Sequence, residues 1–266
     1  MENNIYNIKA HIDKFIYVKP HDAHEKERVD QIMGMIPADV NTVLDIGTGA
    51  GHIYRRLKER CGLRPFGMDI SLELVGRLQE NTISVADIKN IPFKDRSFDL
   101  VLTADVIEHI SPDDFNKSIS EIIRVSKKYI LINSPYKDAV DWPVARCGKC
   151  GREFNIYGHM RSVDKELINR SFPSECFDVL SMATAGRLRD MRPLSLVKMA
   201  RRFGKVYSSD ATICPYCFNS SIICPDRTAA ERCFGNAICA LFLIMDRVVP
   251  SALKNKSEIC VLLKKK

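Results

Sequence analysis

The sequence predicts an α/β fold with a doubly wound parallel sheet, and three observations carry that reading. Short apolar runs with few polar interruptions recur along the first half of the chain. Amphipathic segments of helical period separate them. The first run ends in a glycine-rich turn, Val43-Leu44-Asp45-Ile46-Gly47-Thr48-Gly49-Ala50-Gly51. Alternating strands and helices need crossover connections, which makes neighbouring strands parallel and puts ligand sites at their carboxyl ends.

The elements follow in order. His24 to Met35 brings Val29, Ile32, Met33 and Ile36 onto one helical face. Val43 to Ile46 reads as the end of a buried strand. Gly47, Gly49 and Gly51 then allow a tight turn, a close backbone approach and a helix packed hard against the strand, a geometry that admits a nucleotide-like ligand. Arg64 to Ile70 is a second strand ending at Asp69, 24 residues beyond Asp45, a distance suited to hydrogen bonding with ribose hydroxyls. Ser71 caps a helix through Gln79. Ile83 to Val85 is a short third strand with Asp87 at its exit, and Phe98 to Ala104 a fourth. The spacing of Phe115, Ile119, Ile122, Ile123 and Ser126 predicts a helix over Asp113 to Lys127, before a fifth strand from Tyr129 to Asn133. Position 52 is His52, so the turn departs from the Gly-x-Gly-x-x-Gly pattern and argues against a nicotinamide enzyme.

The runs DIGTGAG, GMDIS, ADI, IPFKDRSFDLV and ADVIEHI together resemble the class I S-adenosylmethionine-dependent methyltransferases, with the matching elements running from Val43 to Pro135 and resuming in part later. The resemblance implies a seven-stranded Rossmann-like methyltransferase sheet with S-adenosylmethionine as cofactor. It implies that Asp45 orients the glycine loop and meets the methionine part of the cofactor. Asp69 would accept from both ribose hydroxyls, Ile70 would lie against the adenine, and Asp87 would take its amino group. Gly47, Thr48, Gly49, Gly51 and Ile88 complete the implied cofactor contacts. Ala104 and Asp105 would form the floor near the sulfonium, and residues 1–39 a helical lid. The core implied is 40–185 with 257–266, closed by a sixth strand from Cys176 to Ala183 and a seventh from Glu258 to Lys264.

With 266 residues and 45% apolar content, the chain can bury a full core. No window reaches the ~18 apolar residues of a membrane-spanning helix, and MENNIYNIKAH lacks a signal-peptide core. A cytoplasmic site of action is expected. In a reducing compartment, closely paired cysteines point to metal more than to disulfides. Cys147 with Cys150 and Cys214 with Cys217 are two CxxC knuckles, 63 residues apart, and supply the four thiolates of a structural zinc site. Zinc would staple 140–158 and 186–256 into one cap over the acceptor side; unpaired thiols or a labile disulfide are the plainer reading. Cys61, Cys176, Cys224, Cys233, Cys239 and Cys260 read as small buried hydrophobes.

Within the insertion, Gly186 to Lys205 carries seven basic residues against Asp190, a local net of +6, suited to phosphates or to plain solvation. Ala237 to Met245 is apolar and reads as a buried helix, with a membrane-surface helix as the alternative. Methyl transfer from a sulfonium needs alignment and exclusion of water, and a hydroxyl acceptor also needs a base. His109 and His159 are the candidates for that base, with a packing role as the plainer reading of His109. Arg161 is a candidate anchor for an anionic acceptor and Tyr136 a candidate to close the pocket. The expected acceptor is a small molecule or a glycan- or lipid-linked intermediate, methylated on oxygen. Two alternatives are an RNA methyltransferase docking RNA on the basic cap and a non-catalytic protein that keeps the cofactor fold. The few aromatic residues in the basic stretch argue against RNA, and the intact Asp45, Asp69 and Asp87 argue against the binding protein.

Overall fold

The computed structural model describes residues 23–138, 140, 144–189, 196, 199, 203, 212–223, 228–248, 250 and 255–266. Most of the basic stretch, Cys224 and residues 1–22 of the expected lid lie outside these. The strands are β1 (Thr42–Ile46), β2 (Arg64–Asp69), β3 (Ile83–Val85), β4 (Phe98–Ala104), β5 (Ser126–Pro135), β6 (Val144–Arg146), β7 (Glu153–Asn155), β8 (Phe177–Arg189) and β9 (Asn255–Lys265). The helices are α1 (Ala23–Met35), α2 (His52–Glu59), α3 (Leu72–Leu78), α4 (Phe115–Val125), α5 (Lys165–Ser171) and α6 (Ala229–Val248).

Seven strands form one sheet in the order β3-β2-β1-β4-β5-β9-β8, and β6 pairs with β7 in a separate ribbon. β1 to β5 pair in parallel as expected. The seven strands expected are present, and the last one departs from the parallel pattern of the first five: β9 runs antiparallel to both β5 and β8. The cause is the route of the chain. Arg189 at the end of β8 pairs with Asn255 at the start of β9, so the insertion returns at the edge it left and joins two adjacent strands without a crossover. Both strands also run past the expected limits, taking residues at each end of the predicted cap.

Alternate residues of each central strand enter opposite layers, as a period of two requires. Leu44, Val101, Ile130, Ile132 and Val261 meet Ile119, Ile122 and Val125 of α4 on one face. Val43, Leu100, Leu102, Leu131 and Leu262 meet Val29 and Ile32 of α1, Ile36 just after it, and Ile53 and Leu57 of α2, on the other. The described part of the N-terminal segment is therefore a layer of the core. The helix predicted to reach Lys127 stops at Val125, since Ser126 already belongs to β5.

Two expectations about burial fail. Of the lone cysteines described, Cys260 is buried, Cys239 partly so, and Cys61, Cys176 and Cys233 are exposed. The run Ala237 to Met245 turns only one stripe inward: Ile238 and Phe242 pack with Leu196, Met199 and Met245, while Leu243 is 65% exposed. Residues one helical turn apart share a face, so an apolar run longer than that stripe must show the rest to solvent.

Candidate functional site

The glycine turn sits at the carboxyl end of β1. Gly47, Gly49 and Gly51 have φ of 74°, 56° and 78°, a region that favours glycine. A Cβ on Gly47 would overlap Val106 Cγ2, and one on Gly51 would come within 2.7 Å of Leu78 Cδ2. The N–H groups of Gly47 and Thr48 both donate to the Met68 carbonyl, which ties the turn to β2. Thr48, expected among the cofactor contacts, also braces the turn. Its buried hydroxyl donates to the Asp45 carbonyl at 3.0 Å and locks the turn from within.

Asp69 ends β2 and is buried. Its two carboxylate oxygens accept from Gly49 N and Ser71 N, both at 2.8 Å, so one side chain sets the glycine turn and the start of α3 together. Burial raises its pKa, and these backbone donors pull against that. Asp45 lies beside it, 2% exposed. Burial, and then the neighbouring Asp69 carboxylate, push Asp45 up to about 8, with Arg28 acting in the opposite sense. Ile70 is half-buried after β2, and Ala104 is half-buried at the end of β4. Asp87, after β3, accepts from Lys89 N at 3.0 Å, and half-buried Ile88 packs on the core cluster.

Arg28 is the side chain sequence reasoning missed on this edge. From α1 it reaches Asn133 Oδ1 at 3.0 Å and Asp105 Oδ2 at 2.9 Å, while Glu25 holds its other face. The available signal was a charge one helical turn from Ile32 on the apolar face. Asp105 itself adopts φ 54° just after β4, which aims its carboxylate back at that guanidinium.

Beyond β4, the 3-10 turn Ile107–His109 meets the segment that follows β7. Three contacts join them: Met160 N donates to Glu108 O at 2.7 Å, Arg161 Nη1 to Ile107 O at 2.6 Å, and His109 Nδ1 lies 3.3 Å from Gly158 O. His109 and His159 pack edge to face with ring centres 4.9 Å apart, so the two predicted histidines do come together. Asp138 Oδ2 holds His159 Nδ1 at 2.6 Å. Arg161 stacks 3.9 Å from the centre of the Phe115 ring. Tyr136, the candidate to close a pocket, is 9% exposed and packs into the main apolar cluster, with its backbone fixed between Ser257 and Val163. Glu108 was not anticipated. It is 1% exposed, it accepts from Ser134 Oγ at 2.9 Å, and burial, then Asp105 and Glu258, holds its carboxyl well above the usual range.

The two CxxC pairs converge. Cys147 and Cys217 sulfurs are 3.5 Å apart, Cys150 and Cys214 sulfurs 3.6 Å, and all four lie within 4.8 Å of one another. Each knuckle is a turn closed by backbone: Gly151 N donates to Cys147 O, and Phe218 N to Cys214 O. Gly148 N also donates to Ser221 O, so the two excursions are stitched to each other. Zinc–sulfur bonds of about 2.3 Å in a tetrahedron place sulfurs about 3.8 Å apart, and the donor set fits that ion.

Residues 43–129 match the methyltransferase domain family. Norajmaline N-methyltransferase of Rauvolfia serpentina is 36% identical over 94 residues, 32% of this chain and 32% of that protein. Malonyl-[acyl-carrier protein] O-methyltransferase of a Marinomonas species is 29% identical over 113 residues, 38% of this chain and 41% of that one. The chain thus spans well under half the length of these curated relatives. Among solved structures, a SAM-dependent methyltransferase from Archaeoglobus fulgidus superposes with a TM-score of 0.53 at 18% identity, covering 90% of this chain and 92% of the other, a likeness of fold.

Proposed function

We propose that this chain, whose core from Val43 to Tyr129 is a class I methyltransferase domain, transfers the methyl group of S-adenosylmethionine to an oxygen of a small-molecule or a glycan- or lipid-linked acceptor. The observation that carries the donor half is Asp69, buried at the end of β2 and bonded to the glycine turn. In this reading Asp69 takes the ribose hydroxyls and Asp87 the adenine amino group, with Ile70 and Ile88 against the ring. Asp45, in the wall of the glycine turn, meets the cofactor's ammonium. Gly47, Gly49 and Gly51 give the cofactor its close approach to backbone. Ala104 and Asp105 form the floor, and Arg28 fixes Asp105 there.

Alignment does most of the chemical work, because the sulfonium already activates the methyl group. The acceptor oxygen is received at His109 and His159, and Arg161 attracts an anionic group on the acceptor. The four cysteines hold one zinc ion, with residues 140–158 and 186–256 as the cap around it. Zinc supplies no chemistry to the transfer; its cysteines fix the chain that runs through β7 to His159. Reduced cysteine pairs suit a reducing compartment, hence a cytoplasmic site of action. The relatives' names include both an N- and an O-methyltransferase; the oxygen acceptor rests on the polar group of histidines and Glu108 instead.

The test is transfer of labelled methyl from S-adenosylmethionine to separate pools of small metabolites, lipid-linked glycans and RNA. Label in either of the first two supports the reading. Label confined to RNA, or no turnover with any pool despite cofactor binding, contradicts it.

A further inference from the structure

Glu108 has a feature that methyl transfer alone leaves unused. Its Oε2 is taken by Ser134, but Oε1 is buried and has no hydrogen-bond partner among the described residues. A buried carboxylate oxygen without a donor is costly, and such an atom is normally satisfied by a proton, a water or an ion. One donor atom each from Glu108, His109 and His159 lies within 4.8 Å of the other two. We propose that these three residues bind a divalent first-row transition cation, and that the cation receives the acceptor's oxygen.

The surroundings suit that role. Histidine ligands ordinarily donate their second ring N–H to a carboxylate or a backbone carbonyl, which fixes the tautomer and the ring. Here Asp138 Oδ2 faces His159 Nδ1 at 2.6 Å, and Gly158 O faces His109 Nδ1 at 3.3 Å. With Nδ1 carrying the proton on both rings, the lone pair of each neutral imidazole is on Nε2. The charges facing the cluster are predominantly acidic. Asp105 and Glu258 act on Glu108, and Asp138 backs His159. Against them stand Arg161, engaged by Ile107 O and the Phe115 ring, and Arg28, which is already paired with Glu25 and Asp105.

Two imidazoles and one carboxylate favour manganese-to-zinc ions over calcium or magnesium and leave positions open for an oxygen ligand. An acceptor hydroxyl bound there loses its proton to water more readily. Its lone pair forms the new C–O bond while the S–CH3 bond breaks onto sulfur, leaving neutral S-adenosylhomocysteine. This role deepens the methyl-transfer reading and rests on it; binding of the ion does not.

The experiment uses the full chain carrying its zinc equivalent and titrates Mn2+, a probe that does not displace zinc from thiolates. Free Mn2+ is followed by electron paramagnetic resonance. The expected result is one Mn2+ bound per chain, lost in Glu108→Gln and weakened about tenfold in Asp138→Asn. Zinc content and S-adenosylhomocysteine binding should stay at wild-type levels in both. If Glu108→Gln does not fold, Asp138→Asn decides. No Mn2+ bound to the wild type, or equal binding by Asp138→Asn and wild type, overturns the proposal. Mn2+ binding without S-adenosylhomocysteine binding would overturn the methyl-transfer reading and leave the metal site standing.

Discussion

Arg28, on the helix before the first strand, donates through Nη1 to Asp105 Oδ2 at 2.9 Å, at the exit of the fourth strand. The contact links a helix of one layer to the edge of the sheet where the cofactor is proposed to lie. Arg28→Ala removes the guanidinium from Asp105 and Asn133 and takes a favourable charge away from Asp45. S-adenosylmethionine affinity should fall about tenfold, roughly 1.4 kcal/mol. Calorimetry checks this, and unchanged affinity would remove Arg28 from the site.

Asp45 makes the stability of the cofactor-free protein depend on pH. Its folded pKa is raised to about 8 from an ordinary 3.8, so between those values the folded state holds a proton that the unfolded state has lost. Stability therefore falls as pH rises through that window, by at most ~1.4 kcal/mol per pH unit for one group. Glu108 is raised in the same direction and adds to the slope. Asp45→Asn should flatten part of it in urea titrations at pH 5, 6, 7 and 8. A wild-type stability that rises with pH across this range would contradict the reading.

Gly47 has φ 74° and faces Val106. Gly47→Ala combines backbone strain with overlap at Val106 Cγ2 and should cost about 2 kcal/mol of stability. Adding Val106→Ala should recover the steric part and leave the backbone part. A Gly47→Ala protein as stable as wild type in chemical denaturation would show that the turn tolerates a side chain.

The cysteine set predicts one zinc per chain by elemental analysis. Cys147→Ser and Cys214→Ser should each lose the metal and lower the melting temperature, and S-adenosylhomocysteine should still bind, because the glycine turn lies in another part of the fold. Acceptor turnover should fall with the zinc, since β7 runs from the knuckle to His159. Full metal content in Cys147→Ser would overturn the zinc assignment.

The donor half of the protein is legible in sequence because local features define it. β1 and β4 are buried on both faces and read as apolar runs, and their exits are marked by Gly47 and Asp105. Ser71 accepts from Leu74 N, as a capping serine should. The cysteine pairs were legible from spacing alone, although their approach depends on long-range folding. What sequence could not supply is pairing between distant segments. The direction of β9 depends on where the insertion returns, and Arg28 meets Asp105 across 77 residues of chain. Glu108 reads as one more polar residue in ADVIEHI until Ser134 and the sheet bury it.

The central claim is that the edge formed by Gly47, Gly49, Gly51 and Asp69 binds S-adenosylmethionine. Calorimetric titration of the wild type and of Asp69→Asn with S-adenosylhomocysteine tests it most directly, with circular dichroism to verify that both are folded. One molecule bound per wild-type chain, and affinity at least about tenfold weaker in Asp69→Asn, is the predicted result. A folded wild type that binds none, or an Asp69→Asn protein that binds as tightly, would contradict it.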